Sequence, residues 1–116
     1  GGTHSVPVAE AVRLINREKG VMVDVSDAAE FAAGHAVGSR HIPLQSLESS
    51  IGAGGSSSAL PAGLPTNKSL PVLVMCQRGV KAAKAAGLLR KAGYENAHAV
   101  AGGLIAWREA QMPTEK

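Results

Sequence analysis

Apolar and polar positions alternate along the chain in a way that separates amphipathic helices from short buried strands. From Val8 to Ile15 the apolar residues recur at helical spacing, and Gly20 follows them. This pattern predicts a first helix over about residues 7–18, with the glycine as its end.

Nearly uninterrupted apolar runs predict the strands. The clearest run covers residues 71–76, and shorter runs cover residues 21–25 and 97–100. A further short strand is predicted near His41-Ile42. The remaining helices are predicted over residues 27–34, 43–51, 79–92 and 104–110. This alternation of helices and apolar strands is typical of an α/β domain whose parallel sheet is covered on both faces.

Length and apolar content fit one domain with one hydrophobic core. The chain has 116 residues, of which 45% are hydrophobic. It starts without Met, so we expect residues 1–5 to be a flexible end or a tag remnant and the core to span about residues 6–113. Gly, Ser, Ala and Pro dominate residues 52–70, which predicts a long surface loop.

Composition argues against several classes of protein. The chain has a single cysteine, Cys76, so no disulfide forms within it, and no run of 18 apolar residues predicts a transmembrane helix. Three aromatic residues and a net charge of +3 do not indicate nucleic-acid binding. No secretory signal opens the sequence, so we expect a cytoplasmic location, or a periplasmic one if a signal peptide has been removed.

The basic residues are concentrated next to the only cysteine. Between residues 78 and 91 the chain has five bases and no acid: Arg78, Lys81, Lys84, Arg90 and Lys91. A local positive field of this kind favours a small anionic substrate. The alternative interpretation is a solvated basic face of a helix.

Cys76 is the last residue of the predicted strand over residues 71–76, and a helix is predicted to begin a few residues later. In open α/β sheets, ligands bind at this carboxyl end of the strands. A tight turn eased by Gly79, the helix N-terminus and the nearby charges of Arg78 and Lys81 would favour the thiolate over the thiol. The alternative is a buried structural cysteine.

Other polar residues give weaker signals. Asp24 lies at a predicted strand end, where a carboxylate serves either the chemistry or local hydrogen bonding. The four histidines have no ligand spacing with Cys76, so the sequence indicates no metal site.

Four segments, taken in chain order, resemble the markers of one protein family. They are Val23-Asp24-Val25 followed by Glu30-Phe31, residues 34–43, the six-residue segment Cys76-Gln77-Arg78-Gly79-Val80-Lys81, and Ala101-Gly102-Gly103 with Trp107. Together they are similar to the single-domain form of the rhodanese-like sulfurtransferases, over about residues 8–113. The resemblance implies one domain over residues 1–116, with a five-stranded parallel sheet flanked by helices on both faces.

The resemblance also implies a mechanism and a set of site residues. Cys76 would take a sulfur from thiosulfate or a similar small anionic donor and pass it to cyanide, a thiol or a protein acceptor. The substrate-binding residues would be Gln77, Arg78, Gly79, Val80 and Lys81, with Asp24 in a supporting role. The resemblance implies no metal and no organic cofactor. It also implies no nucleic-acid or membrane partner.

The sequence departs from the family pattern at two positions. Lys81 replaces a common arginine at the sixth loop position, which keeps the charge and loses the bidentate fork. Ser26 stands where arginine often follows the Asp-Val pair, which puts the supporting role of Asp24 in doubt.

Two alternative functions stay open from the sequence. Phosphatases and arsenate reductases of related fold have a loop one residue longer that ends in arginine, whereas position 82 here is alanine. A non-catalytic interaction module is the second alternative, although such relatives usually lack the cysteine.

Overall fold

The computed structural model of the protein describes residues 5–52 and 60–116. In chain order its elements are β1 (Ser5–Val6), α1 (Val8–Glu18), β2 (Val21–Asp24), α2 (Ala28–Ala33), β3 (His35–Ala36), β4 (Arg40–His41), α3 (Leu44–Leu47), a π-helical segment (Glu48–Gly52), β5 (Val72–Met75), α4 (Val80–Lys91), β6 (Ala97–Val100), α5 (Gly103–Glu109) and β7 (Thr114–Glu115).

The main sheet has five strands in the order β1-β6-β5-β2-β4, and every neighbouring pair is parallel. The predicted five-stranded parallel sheet is therefore confirmed. Asp24 is in register with Met75, so β2 and β5 end side by side at the carboxyl edge of the sheet. This is the edge at which α/β domains place their ligand sites.

Helices cover both faces of this sheet, because successive side chains of a strand point to opposite sides. Val72 and Val74 of β5 pack in one core cluster with the small and apolar residues of α4 (Ala82, Ala85, Ala86 and Leu89). Leu73 and Met75 pack in the other cluster with residues of α1 and α5 (Ala11, Leu104 and Trp107). The buried strand β5 thus contributes side chains to both core clusters.

Several boundaries differ from the sequence-based predictions. The strand predicted to end at Cys76 ends at Met75, so the cysteine belongs to the following turn. The helix predicted over residues 43–51 is divided into α3 and the π-helical segment. β1, β3 and β7 were not predicted; β3 and β7 form a separate antiparallel pair in which His35 faces Glu115.

The remaining predicted segments have no regular secondary structure or fall outside the described residues. Residues 60–71 form turns, whereas residues 53–59 of the predicted surface loop and residues 1–4 lie outside the described part of the chain. Ser5, expected in the flexible end, belongs to β1. No helix within residues 5–52 and 60–116 is long and apolar enough to cross a membrane.

Candidate functional site

Cys76 lies in the short turn that connects the buried strand β5 to α4. Only 3% of the residue is exposed. Gly79 precedes the first residue of α4 and has a φ of 100°, a left-handed conformation that glycine adopts without steric cost. The turn therefore curls back over the cysteine instead of continuing the strand direction.

The sulfur of Cys76 faces backbone donors from this turn and from the first turn of α4. The amide nitrogens of Gly79 and Ala82 donate to Sγ over 2.9 and 3.3 Å. The Ala82 amide is one of those that a helix N-terminus leaves without an intrahelical acceptor. Two such donors, at the positive end of the helix dipole, stabilise negative charge on the sulfur.

The N-terminus of α5 holds the cysteine turn from the other side. The carbonyl oxygens of Cys76 and Gln77 accept from the amides of Leu104 and Ile105, over 2.8 and 3.3 Å. Gly103 has a φ of 58° and lies so close that a Cβ there would be 2.5 Å from the Cys76 carbonyl oxygen. The second glycine of the Gly102-Gly103 pair noted in the sequence thus lets the backbone of α5 approach the backbone of the cysteine turn closely.

A cleft of about 200 Å³ opens next to the sulfur. It is lined by Glu30, Cys76, Gln77, Arg78, Val80 and Lys81. The structure therefore brings five of the predicted site residues together around one small space. Gly79 does not line this space, but its amide is one of the two donors to the sulfur.

Glu30 lines the cleft and was not among the predicted site residues. Its Oε1 lies 3.7 Å from the Nζ of Lys81, and both side chains are roughly half-exposed. Asp27 and Glu30 have the three-residue spacing of a capping box in the sequence, and the structure contains that capping box. Nothing in the local sequence signals that α2 would present its first turn to the cysteine turn, because this contact is long-range.

Asp24 is fully buried at the end of β2 and does not line the cleft. Its Oδ1 accepts from the amide of Ser26 over 2.8 Å, and its Oδ2 has no hydrogen-bond partner among the described residues. The next residue, Val25, donates its amide to the carbonyl oxygen of Met75 over 2.8 Å. Asp24 is therefore placed to shape the turn beside Cys76 and not to contact a substrate in the cleft.

An aromatic stack anchors α2 near the cleft. The ring of Phe31 stacks on His35 and on His41, at centroid distances of 3.7 and 4.3 Å. Both histidines also hydrogen-bond to backbone oxygens, those of Phe31 and Ser26.

Within the described ranges, no cluster of three or more His, Cys, Asp or Glu residues could hold a metal ion.

The fold and the site together define a class of protein. It is an α/β domain in which a cysteine sulfur, at the carboxyl edge of a parallel sheet, accepts hydrogen bonds from backbone amides. The sequence profile of the rhodanese-like domain matches residues 7–110. Thiosulfate sulfurtransferase GlpE of Pseudomonas putida strain GB-1 is 34% identical over 110 residues, which are 95% of this chain and 88% of the relative. The chain belongs to the rhodanese-like family.

Solved structures of similar fold cover nearly the whole chain. The human single-domain sulfurtransferase TSTD1 is 27% identical and superposes with a TM-score of 0.72, over 92% of this chain and 96% of its own. A Rhodopseudomonas palustris protein described as a possible tyrosine phosphatase is 26% identical, with a TM-score of 0.77, over 97% of this chain and 85% of its own. Both resemble the protein over almost its whole length.

Proposed function

We propose that the protein is a sulfurtransferase that moves a sulfane sulfur from thiosulfate, or a similar anionic donor, to a thiophilic acceptor through a persulfide on Cys76. The observation that carries this proposal is the position of the Cys76 sulfur. It accepts hydrogen bonds from two backbone amides and borders a cleft that two cationic side chains line. The name of the GlpE relative supports the same reaction.

In the first displacement, the Cys76 thiolate attacks the outer sulfur of thiosulfate. A bond forms between Sγ and that sulfur, the sulfur–sulfur bond of thiosulfate breaks, and sulfite leaves with the electron pair. Arg78 and Lys81 stand where they offset the charge of the sulfonate and of the departing sulfite. Gln77 also lines the cleft, and its side-chain amide nitrogen is buried without a partner among the described residues, so rotation of this side chain toward the cleft would let it donate to a sulfonate oxygen.

In the second displacement, a nucleophilic acceptor attacks the outer sulfur of the persulfide. With cyanide the product is thiocyanate, and the electron pair of the broken bond returns to the Cys76 sulfur. The amides of Gly79 and Ala82 stabilise this sulfur as it becomes a thiolate again. The acceptor in the cell is a small thiol or a protein thiol, and Val80, 79% exposed, offers it an apolar contact at the mouth of the cleft.

The geometry favours sulfur transfer over phosphatase or arsenate-reductase chemistry. Position 82 contributes a backbone amide to the sulfur and, being alanine, no guanidinium to an oxyanion. The segment from Cys76 to Lys81 has six residues, one fewer than the arginine-ended loop of the phosphatases, and the amide of the next residue donates to the sulfur.

Intact-protein mass spectrometry tests the proposal directly. Treatment with thiosulfate should add one sulfur atom to the chain, and subsequent cyanide should remove it. The Cys76→Ser variant should show neither change. A wild-type protein whose Cys76 reacts with a small alkylating agent but never gains sulfur from thiosulfate would contradict the proposed donor.

A further inference from the structure

Glu30 introduces a negative charge into a cleft that is otherwise built to hold anions. The other charged side chains lining the cleft are Arg78 and Lys81. We propose that Glu30 is a specificity-determining residue, which makes the cleft prefer a zwitterionic amino-acid thiol as sulfur acceptor over a thiol that is only anionic. This inference rests on the sulfurtransferase function proposed above.

The carboxylate of Glu30 is held in place by the capping box of α2. The Glu30 amide donates to the Oδ1 of Asp27 over 2.9 Å, and the Asp27 amide donates to the Oε1 of Glu30 over 3.2 Å. Phe31, the next residue, is stacked between two histidines. The carboxylate is thus presented to the cleft by a fixed helix end.

The charges in the cleft cancel once the cysteine is ionised. Arg78 and Lys81 contribute two positive charges, whereas Glu30 and a Cys76 thiolate contribute two negative ones. A dianion such as thiosulfate is therefore attracted by Arg78 and Lys81 and repelled by Glu30 and the thiolate, so the carboxylate of Glu30 weakens the net attraction. Without Glu30, the same cleft would carry one net positive charge.

The ion pair between Glu30 and Lys81 leaves both groups available to a ligand. Its length is 3.7 Å and both side chains are 40% or more exposed, a geometry in which ion pairs contribute little. Arg78 makes no salt bridge among the described residues. An amino-acid thiol supplies an ammonium for Glu30 and a carboxylate for Arg78 or Lys81, and the small volume of the cleft suits a ligand of this size.

The acceptor step is the second displacement with a thiolate as nucleophile. The outer sulfur of the Cys76 persulfide first takes a proton from the solvent. The acceptor thiolate then forms a bond to that sulfur, and the bond between that sulfur and Sγ breaks. The electron pair stays on Sγ, which becomes the thiolate, and the released product is the persulfide of the amino acid. No external oxidant or reductant is consumed.

Steady-state kinetics with matched acceptors test the preference. Thiosulfate serves as donor, and L-cysteine is compared with 3-mercaptopropionate, which has the same thiol and carboxylate without the ammonium. Glu30→Gln keeps an oxygen for the Asp27 amide and removes the charge. We expect it to lower kcat/KM for cysteine and to raise it for mercaptopropionate, each about threefold.

Glu48→Gln is the matched control, because Glu48 pairs with Lys84 at 2.7 Å and does not line the cleft. It should leave the ratio of the two acceptors unchanged. The inference would be overturned if both variants changed this ratio equally, or if Glu30→Gln did not change it. Turnover with cyanide tests the proposed function separately and would still support it in either case.

A second measurement needs no turnover, because the chain has one cysteine. The rates at which an anionic sulfonatoethyl and a cationic trimethylammonioethyl methanethiosulfonate modify Cys76 report the local charge. Glu30→Gln should raise the anionic rate relative to the cationic rate by severalfold, and Glu48→Gln should not. Failure of persulfide formation would refute the proposed function, whereas an unchanged ratio of these rates would refute the role of Glu30.

Discussion

The Gly103 Cα and the carbonyl oxygen of Cys76 are so close that no side chain fits between them. A Cβ at Gly103 would lie 2.5 Å from this oxygen and 2.7 Å from that of Gln77. The same two oxygens accept the amides of Leu104 and Ile105. The cysteine turn and the beginning of α5 are therefore joined through their backbones.

Replacement of Gly103 by alanine should consequently damage both stability and the site. The added methyl group meets backbone that cannot rotate away, and the left-handed φ of 58° is unfavourable for alanine. We expect Gly103→Ala to lower the free energy of unfolding by about 2–4 kcal/mol and to slow persulfide formation. Urea denaturation and intact mass after thiosulfate treatment would measure the two effects.

Gly87→Ala provides the control for this prediction. Gly87 lies within α4, where a Cβ would meet only the end of the Arg90 side chain, at 3.8 Å. Alanine in a helix interior should stabilise the protein by about 0.5–1 kcal/mol. If Gly103→Ala were as well tolerated as Gly87→Ala, the close backbone contact would not hold in solution.

Lys81 should affect the binding of the donor more than the chemical step. Its ammonium lines the cleft and is 48% exposed, so its attraction for thiosulfate is partly screened. Lys81→Ala should raise the KM for thiosulfate about threefold to tenfold, with a smaller change in kcat, and the effect should shrink at high salt. Lys84→Ala removes an equal charge outside the cleft, so a similar KM increase there would show that only net charge matters.

The parts of the fold that were predictable are those with internal periodicity. The amphipathic repeat of α1 and the apolar run of β5 each contain enough residues to define a pattern. Strands β1, β3 and β7 have two residues each, so alternation cannot be recognised in them. Their existence depends on partners distant in the sequence, as His35 opposite Glu115 illustrates.

In the candidate site, too, the residues that are close in sequence could be predicted and the long-range contact could not. The turn residues from Cys76 to Lys81 are contiguous, so their proximity could be predicted from one strand-to-helix junction. Glu30 comes from a different helix, and its local sequence explains only the capping box. That Glu30 of α2 comes within 3.7 Å of Lys81 of α4 is decided by the tertiary fold, which a single sequence does not reveal.

Asp24 should act on the site through the backbone, because it is buried and lies outside the cleft. Asp24→Asn keeps an oxygen for the Ser26 amide and removes a buried charge, so stability and turnover should be close to wild type. Asp24→Ala leaves that amide without its acceptor and should cost about 1–3 kcal/mol. Thermal unfolding and cyanide-assay kinetics of both variants would distinguish this role from a catalytic one, in which Asn and Ala would be equally inactive.

Tyr94 should make stability depend on pH in the alkaline range. The residue is 2% exposed and its hydroxyl donates to the Pro65 carbonyl over 2.9 Å. Burial raises the pKa of the Tyr94 hydroxyl above 10, the ordinary value. The folded state therefore holds this proton more tightly than the unfolded state does, so the stabilisation is complete below about pH 10 and is lost as the pH rises through the folded pKa.

Because the chain has one tyrosine, ultraviolet absorbance of tyrosinate reports this group alone. The midpoint of the titration should lie higher in the native protein than in concentrated denaturant. Tyr94→Phe removes the ionisation, so its stability should fall less steeply than that of wild type above about pH 10. Identical midpoints in the native and denatured protein would mean that solvent reaches the hydroxyl and that the contact between Tyr94 and Pro65 is open in solution.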